Sequence, residues 1–302
     1  MSRMTAGEMR RDDRYFTLKE ERLIRVSDLV LELKDLRHLN WAQHKLSPGT
    51  PGCFLKAYEE EEGTRFYYKL SNYDSYRGVF GHECVNELIV SRFLDVLQVE
   101  HLAYQLVHAR VEIDGTEWET YITKSANFRR ENERKIPLDT YYELHRQSAA
   151  ESPLDFMIRM GWTAYTYQMM LVDYFICNRD RHGANIEVLI DESGAVRPAP
   201  LFDQWVSLLY SCYDDLGAVR KFDVMEDRPV NNFIGSRSLE YNLQLVPRSG
   251  HWFDGELQKT DREKLLDGLD VIMPKELLDK VWDMLWRRWN GYAELLDSKS
   301  EL

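Results

Sequence analysis

One stretch constrains the fold of this chain more than any other: FICNRDRHGANIEVLI at 175–190, with APLFDQW following at 199–205. Apolar periodicity over 153–177 predicts a helix ending at Cys177, with Pro153 near its start. A polar loop, Asn178 to Asn185, then leads to a strand that starts at Ile186. IEVLID and VRPAPLF flank a turn at 191–195 and predict a hairpin. A hairpin returns the chain to the end where it began, so Asp203 comes back beside Asn185. Phosphoryl transfer needs such a set. One Asp accepts or orients the acceptor's hydroxyl proton, and hard oxygen ligands hold the Mg²⁺ that bridges the ATP phosphates. Asp180 suits the first role, and Asn185 and Asp203 the second. Asn, Asp and Gly are ordinary turn residues as well. A plain turn does not explain the second Asp, set directly after Leu201-Phe202 at the end of a hairpin.

Upstream, the pattern is of another kind. GCFLKAYEEEEGTRFYYKL, 52–70, predicts a hairpin around a polar turn at 59–63, and AYQLVHARVEI and TEWETYITK predict a second around Asp114-Gly115. Between them HECVNELIVSRFLDVLQV, 82–99, has helical spacing. YFTLKEERLIRV, 15–26, reads as a hairpin, and LVLELKDLRHL, 29–39, as a short helix or a strand. After 131 helical periodicity dominates, at 137–147, 153–177, 238–246, 260–270 and 274–297, and 203–237 reads as irregular. The expectation is an α+β chain. Residues 1–45 form an N-terminal extension, 46–130 a β-rich lobe, and 131–302 a mainly helical lobe, with the cleft between lobes as the ligand site. Trp282, Trp286 and Trp289 share helical spacing and read as packing residues, and the loop at 222–238 as a substrate surface.

Two further features border that cleft. Lys69, in RFYYKLS, sits near a strand end among aromatic residues, where it can point inward to nucleotide phosphates. Glu83 and Glu87 lie one turn apart on the next helix, and either can pair with it. The apolar neighbours Leu88 and Ile89 favour Glu87. SPGTPG, 47–52, precedes the first strand of the hairpin, and its Gly49 and Gly52 allow backbone N–H groups to approach phosphates closely. It is neither a Walker A motif nor GxGxxG.

Composition narrows the alternatives. The formal charge of −12 repels nucleic-acid phosphates and anionic lipid, so no direct nucleic-acid or membrane partner is expected. No apolar run reaches the length of a membrane span, and the polar N-terminus has no secretory pattern. Cys53, Cys84, Cys177 and Cys212 form no CxxC pair, and the histidines show no HExxH spacing. A reducing cytoplasm and a chain without zinc are expected.

In this order, with a Gly-containing loop, strand Lys, helix Glu, NRDRHGAN, hairpin and LFD, the sequence resembles the HipA-like serine/threonine kinases, and in particular their short, stand-alone CtkA-like type. Asp180-Arg181-His182 and Asn185 also resemble the catalytic loop of phosphatidylinositol kinases. The likeness spans residues 46–297. It implies a two-lobed protein-kinase-like fold, with Asp180 as base, Asn185 and Asp203 on Mg²⁺, Lys69 on the ATP phosphates, Glu87 as its anchor, and His182 as organiser of the loop. SPGTPG corresponds to a mobile phosphate-binding loop, including Ser47, Gly49, Thr50 and Gly52. Ser47 and Thr50 are the autophosphorylation candidates, and phosphate there would repel ATP. The implied partners are a protein with a Ser/Thr acceptor and an antitoxin-like regulator. The chain departs from the family where Cys53-Phe54 replace a Lys that commonly follows the loop, and it has no clear copy of the extra N-terminal subdomain of full-length HipA. Two alternatives stand beside this reading. One keeps the fold and makes the acceptor a lipid or small molecule, and the other is a weakly catalytic toxin-like module acting by partner binding.

Overall fold

A computed structural model describes residues 27–43 and 55–297. The loop at 47–52, Cys53 and the 15–26 segment lie outside the described residues. The first half is a six-stranded sheet built from β1 (Leu29–Asp35), β2 (Ala42–Gln43), β3 (Leu55–Glu61), β4 (Thr64–Leu70), β7 (Gln105–Ile113) and β8 (Thr116–Ala126), in the order β1-β7-β8-β4-β3-β2. A small hairpin of β5 (Asn72–Asp74) and β6 (Gly78–Phe80) follows β4 and leads into helix α1 (Glu83–Leu97). Both long hairpins close through two residues with positive φ, Glu62 (49°) with Gly63 (81°) and Asp114 (50°) with Gly115 (78°). That is the twist-compatible geometry that Asp-Gly favours, and it fixes the register of each strand pair. The stretch at 29–39, open between helix and strand, supplies strand β1, parallel to β7. The sheet therefore takes in residues assigned by sequence to an N-terminal extension.

β8 ends at a connector, 127–133, that leads into the helical half. There follow β9 (Arg134–Pro137), α2 (Leu138–His145), α3 (Pro153–Arg159), α4 (Thr163–Phe175), β10 (Asp180–Arg181), β11 (Glu187–Ile190), β12 (Val196–Pro198), α5 (Leu216–Lys221), β13 (Asn231–Asn232), α6 (Leu239–Leu245), α7 (Asp261–Leu266) and α8 (Lys275–Asp297). The single helix expected over 153–177 is two. Gly161, at φ 80°, turns the chain between α3 and α4, a conformation that other residues resist. Pro153 opens the first turn of α3 as expected, and the Ser152 hydroxyl caps it by accepting from the Asp155 N–H. The segment at 203–237 holds α5 and β13. β9 had no sequence signal of its own; it completes a sheet of order β12-β11-β9.

Helix α1 joins the halves. Of its 15 residues only Asp95 and Val96 keep notable exposure, because one side meets the sheet and the other the helical core. Phe93 packs edge-on to Phe175 of α4 at 6.1 Å, and Phe175 meets Trp289 of α8 at 5.3 Å. Trp282 and Trp286 stack on each other. Gly255 comes against the last turn of α1, its N–H donating to the Leu97 carbonyl at 3.3 Å. An added Cβ there would run into the Val96 carbonyl, which is backbone and cannot swing aside. Gly255→Ala is therefore expected to cost about 1–3 kcal/mol, as overpacking does. A urea denaturation midpoint equal to wild type would refute that close approach.

Candidate active site

Alternation along β4 turns Tyr68 and Leu70 to one side of the sheet and Lys69 to the other, facing α1. The Lys69 Nζ lies 2.8 Å from Glu87 Oε1 and 3.0 Å from Asp203 Oδ1. All three residues are buried, Glu87 completely. The Thr123 hydroxyl on β8 donates to the second Glu87 oxygen at 3.0 Å. Glu83, the other candidate anchor, is turned away and accepts from the Asn72 side chain. Buried charges are tolerated when paired and hydrogen-bonded, and here one ammonium serves two carboxylates. Burial pushes Asp203 up, but the Lys69 charge, followed by Lys56, outweighs it and holds the carboxyl at about 2. Burial lowers Lys69, and Asp203 and Glu87 together raise it well above the usual lysine value. Asp203 is ionised and Lys69 charged at neutral pH.

Lys56 was not foreseen. It stands directly opposite Lys69 across the β3–β4 hairpin, so both side chains share one face. Burial and the Lys69 charge lower its pKa. Counting back from the Glu62-Gly63 turn would have paired it with Lys69.

The polar loop is held from beneath. Arg181 is 1% exposed, and its guanidinium meets the carboxylate of Asp173 on α4, with Nη2 to Oδ1 at 2.9 Å. Its Nη1 donates to the carbonyls of Asn185 at 3.1 Å and Phe202 at 3.0 Å. One buried side chain thus joins the end of the loop to the residue before Asp203. Asn178 donates to Asp173 at 2.8 Å and accepts from the Asp180 N–H at 3.2 Å. Neither Asp173 nor the bridging role of Arg181 was read from sequence. A polar residue within an apolar helix, followed by an arginine eight residues on, was the available signal. Asn86 of α1 donates to the carbonyls of Trp205 at 3.3 Å and Ser207 at 3.0 Å, which ties the chain after Asp203 to the same helix as Glu87.

Asp180, His182 and Asn185 share one short loop. Asp180 is half-buried, and burial raises its pKa against the lowering effect of His182. His182 Nδ1 accepts from the Ala184 N–H at 3.2 Å and so shapes the turn that follows. Asn185 Nδ2 donates to the Asp180 carbonyl at 2.9 Å, which turns its carbonyl oxygen the other way. Asp203 Oδ2 accepts no hydrogen bond among the described residues. Two hard oxygens, one amide and one carboxylate, fit Mg²⁺, which takes few protein ligands and keeps phosphates and waters for the rest. Among the described residues no cluster of three or more His, Cys, Asp or Glu offers a closed metal cage.

No family model matches the chain, and no curated protein matches it. Solved structures do. The proinflammatory kinase CtkA of Helicobacter pylori superposes with a TM-score of 0.56 over 88% of this chain and 97% of its own, at 11% identity. The chain has a kinase fold. HipA of Shewanella oneidensis MR-1, in a complex with HipB and operator DNA, gives a TM-score of 0.40 at 15% identity, over 83% of this chain and 58% of its own. The PAN3 pseudokinase of Neurospora crassa gives 0.36 at 12% identity, over 96% of this chain and 72% of its own. Lys69 stands on the sheet, Glu87 on helix α1, and Asp180 in the helical half. No helix among the described residues is long and apolar enough to cross a membrane.

Asp173→Ala would leave Arg181 buried and unpaired. It is expected to cost about 3–5 kcal/mol in urea denaturation, whereas Asp180→Ala, at a half-buried group, moves the midpoint little. Equal midpoints for the two variants would contradict the supporting role of the buried Arg181–Asp173 pair.

Proposed function

We propose that the chain is an ATP- and Mg²⁺-dependent kinase that phosphorylates Ser or Thr of proteins, itself included, in the cytoplasm. The observation that carries this reading is the buried contact of Lys69 with both Glu87 and Asp203, set beside Asp180 in a kinase fold. Lys69 and Lys56 place two cations on one face of the sheet, where the phosphates of ATP would lie between the lobes. Asn185 and Asp203 would hold Mg²⁺, which neutralises phosphate charge when bound. The acceptor oxygen attacks the γ-phosphorus, the bond to the β–γ bridging oxygen breaks, ADP leaves, and the hydroxyl proton passes to the Asp180 carboxylate. Lys69 and the hydroxyl of Tyr104, which accepts from the Asp203 N–H at 3.2 Å, fix the side chain and backbone of Asp203, which supports its metal-holding role.

Ser47 and Thr50 are the candidates for self-phosphorylation that the sequence resemblance implies, together with an antitoxin-like regulator. Incubation with γ-labelled ATP and Mg²⁺, followed by mass spectrometry, tests the reading. Label is expected on Ser or Thr, absent in Asp180→Ala, and lost from the loop in the double variant Ser47→Ala, Thr50→Ala. ATP binding with no labelled Ser or Thr would sink the protein-kinase reading and favour a lipid or small-molecule acceptor. Full labelling of Asp180→Ala would remove Asp180 as the base.

A further inference from the structure

The segment at 222–238 carries Asn231, which no motif singled out. Its side-chain Nδ2 donates to Asp180 Oδ1 at 3.1 Å. The other carboxylate oxygen, Oδ2, lies 3.7 Å from His182 Nε2, beyond hydrogen-bond distance, and accepts nothing else among the described residues. Asn231 itself is exposed. We propose that Asn231 is a positioning residue: its amide fixes the Asp180 carboxylate so that Oδ1 is committed and Oδ2 is presented to the acceptor hydroxyl. This rests on the kinase reading above.

The backbone makes the placement independent of that amide. Asp180 and Asn231 are direct partners in the parallel β10–β13 pair, and Arg181 is the partner of Asn232. The Asn231 N–H donates to the Arg179 carbonyl and the Phe233 N–H to the Arg181 carbonyl, both at 2.9 Å. Beyond the strand, Asn232 Oδ1 accepts from the N–H groups of Ile234 at 3.0 Å and Gly235 at 2.8 Å, and the Val230 N–H donates to the Arg237 carbonyl at 3.0 Å. Phe233 packs edge-on to Tyr142 of α2 at 5.8 Å. β13 is thus held by its own backbone and by its neighbours. The Asn231 side chain is free of structural duty and spends its donor on the base. A carboxylate without that contact turns about its Cβ–Cγ bond, and the oxygen facing the acceptor is no longer fixed. Loss of alignment at this scale lowers the rate of the chemical step rather than the affinity for nucleotide.

The test is steady-state transfer from Mg·ATP to a protein acceptor in the full chain, with Asn231→Ala, Asn231→Ser and Asn231→Asp. Asn231→Ala is expected to lower kcat about 10–100-fold with the KM for ATP unchanged. Asn231→Ser, which keeps a short donor, recovers part of the loss. Asn231→Asp, which sets carboxylate against carboxylate, does no better than Ala. Thermal midpoints stay at the wild-type value throughout. Wild-type kcat in Asn231→Ala would overturn the proposal. So would a loss of equal size in all three variants with lowered thermal midpoints, which marks a structural role. Asp180→Ala separates the two readings. If wild type transfers phosphate and Asp180→Ala does not, only the role of Asn231 is at stake. If wild type transfers none, the base assignment and this inference fall together.

Discussion

One buried ammonium holds the candidate site together. Lys69 comes from the sheet, Glu87 from the helix between the halves, and Asp203 from the chain that leaves the C-terminal hairpin. An unpaired charge at this depth is prohibitively costly, so the fold is committed to bringing all three elements to one point. Several features serve that requirement. The two-residue turn with positive φ sets β4 in register, so that Lys69 faces inward. The buried stripe of α1 carries Glu87 among apolar side chains. Asn86, its neighbour, grips the backbone just past Asp203. Asp203 adopts a left-handed conformation, φ 61°, which Asp enters more readily than most non-glycine residues.

In the polar loop, buried support and half-buried candidate groups are neighbours in sequence. Asp180 is half-buried and Asn185 donates to its carbonyl, whereas Arg181 between them is turned down into the core against Asp173. The loop is short, and its residues would be mobile if held only by their ends. Arg181 replaces that freedom with three fixed attachments, to Asp173, Asn185 and Phe202. This is how one buried side chain keeps Asp180, Asn185 and the residue before Asp203 in relative position.

What sequence revealed follows physical range. Asp180, Asn185 and Asp203 were legible because helix, loop and hairpin are local, and a hairpin's geometry dictates where its ends meet. Lys69 and Glu87 were legible because strand alternation and helical spacing fix which way a side chain points. Arg181 was seen only as part of a motif, since its partner on α4 and its two carbonyls belong to separate elements. Asn231 was invisible for the same reason: its meeting with Asp180 spans 51 residues and rests on a two-residue parallel strand pair, too short to leave a periodic pattern. The break between α3 and α4 was missed because apolar periodicity runs on through Gly161, and a single glycine stops a helix only where tertiary packing makes use of the turn.

The central claim is that the Lys69 cluster is a nucleotide site. Calorimetric titration of Mg·ATP into wild type and into a folded Lys69→Met variant tests it most directly. The account predicts one-to-one binding to wild type and a loss of roughly 10–100-fold in affinity for the variant, the worth of one charge-assisted contact to phosphate. Equal affinity in the two proteins, or no binding to wild type at millimolar nucleotide, would contradict it.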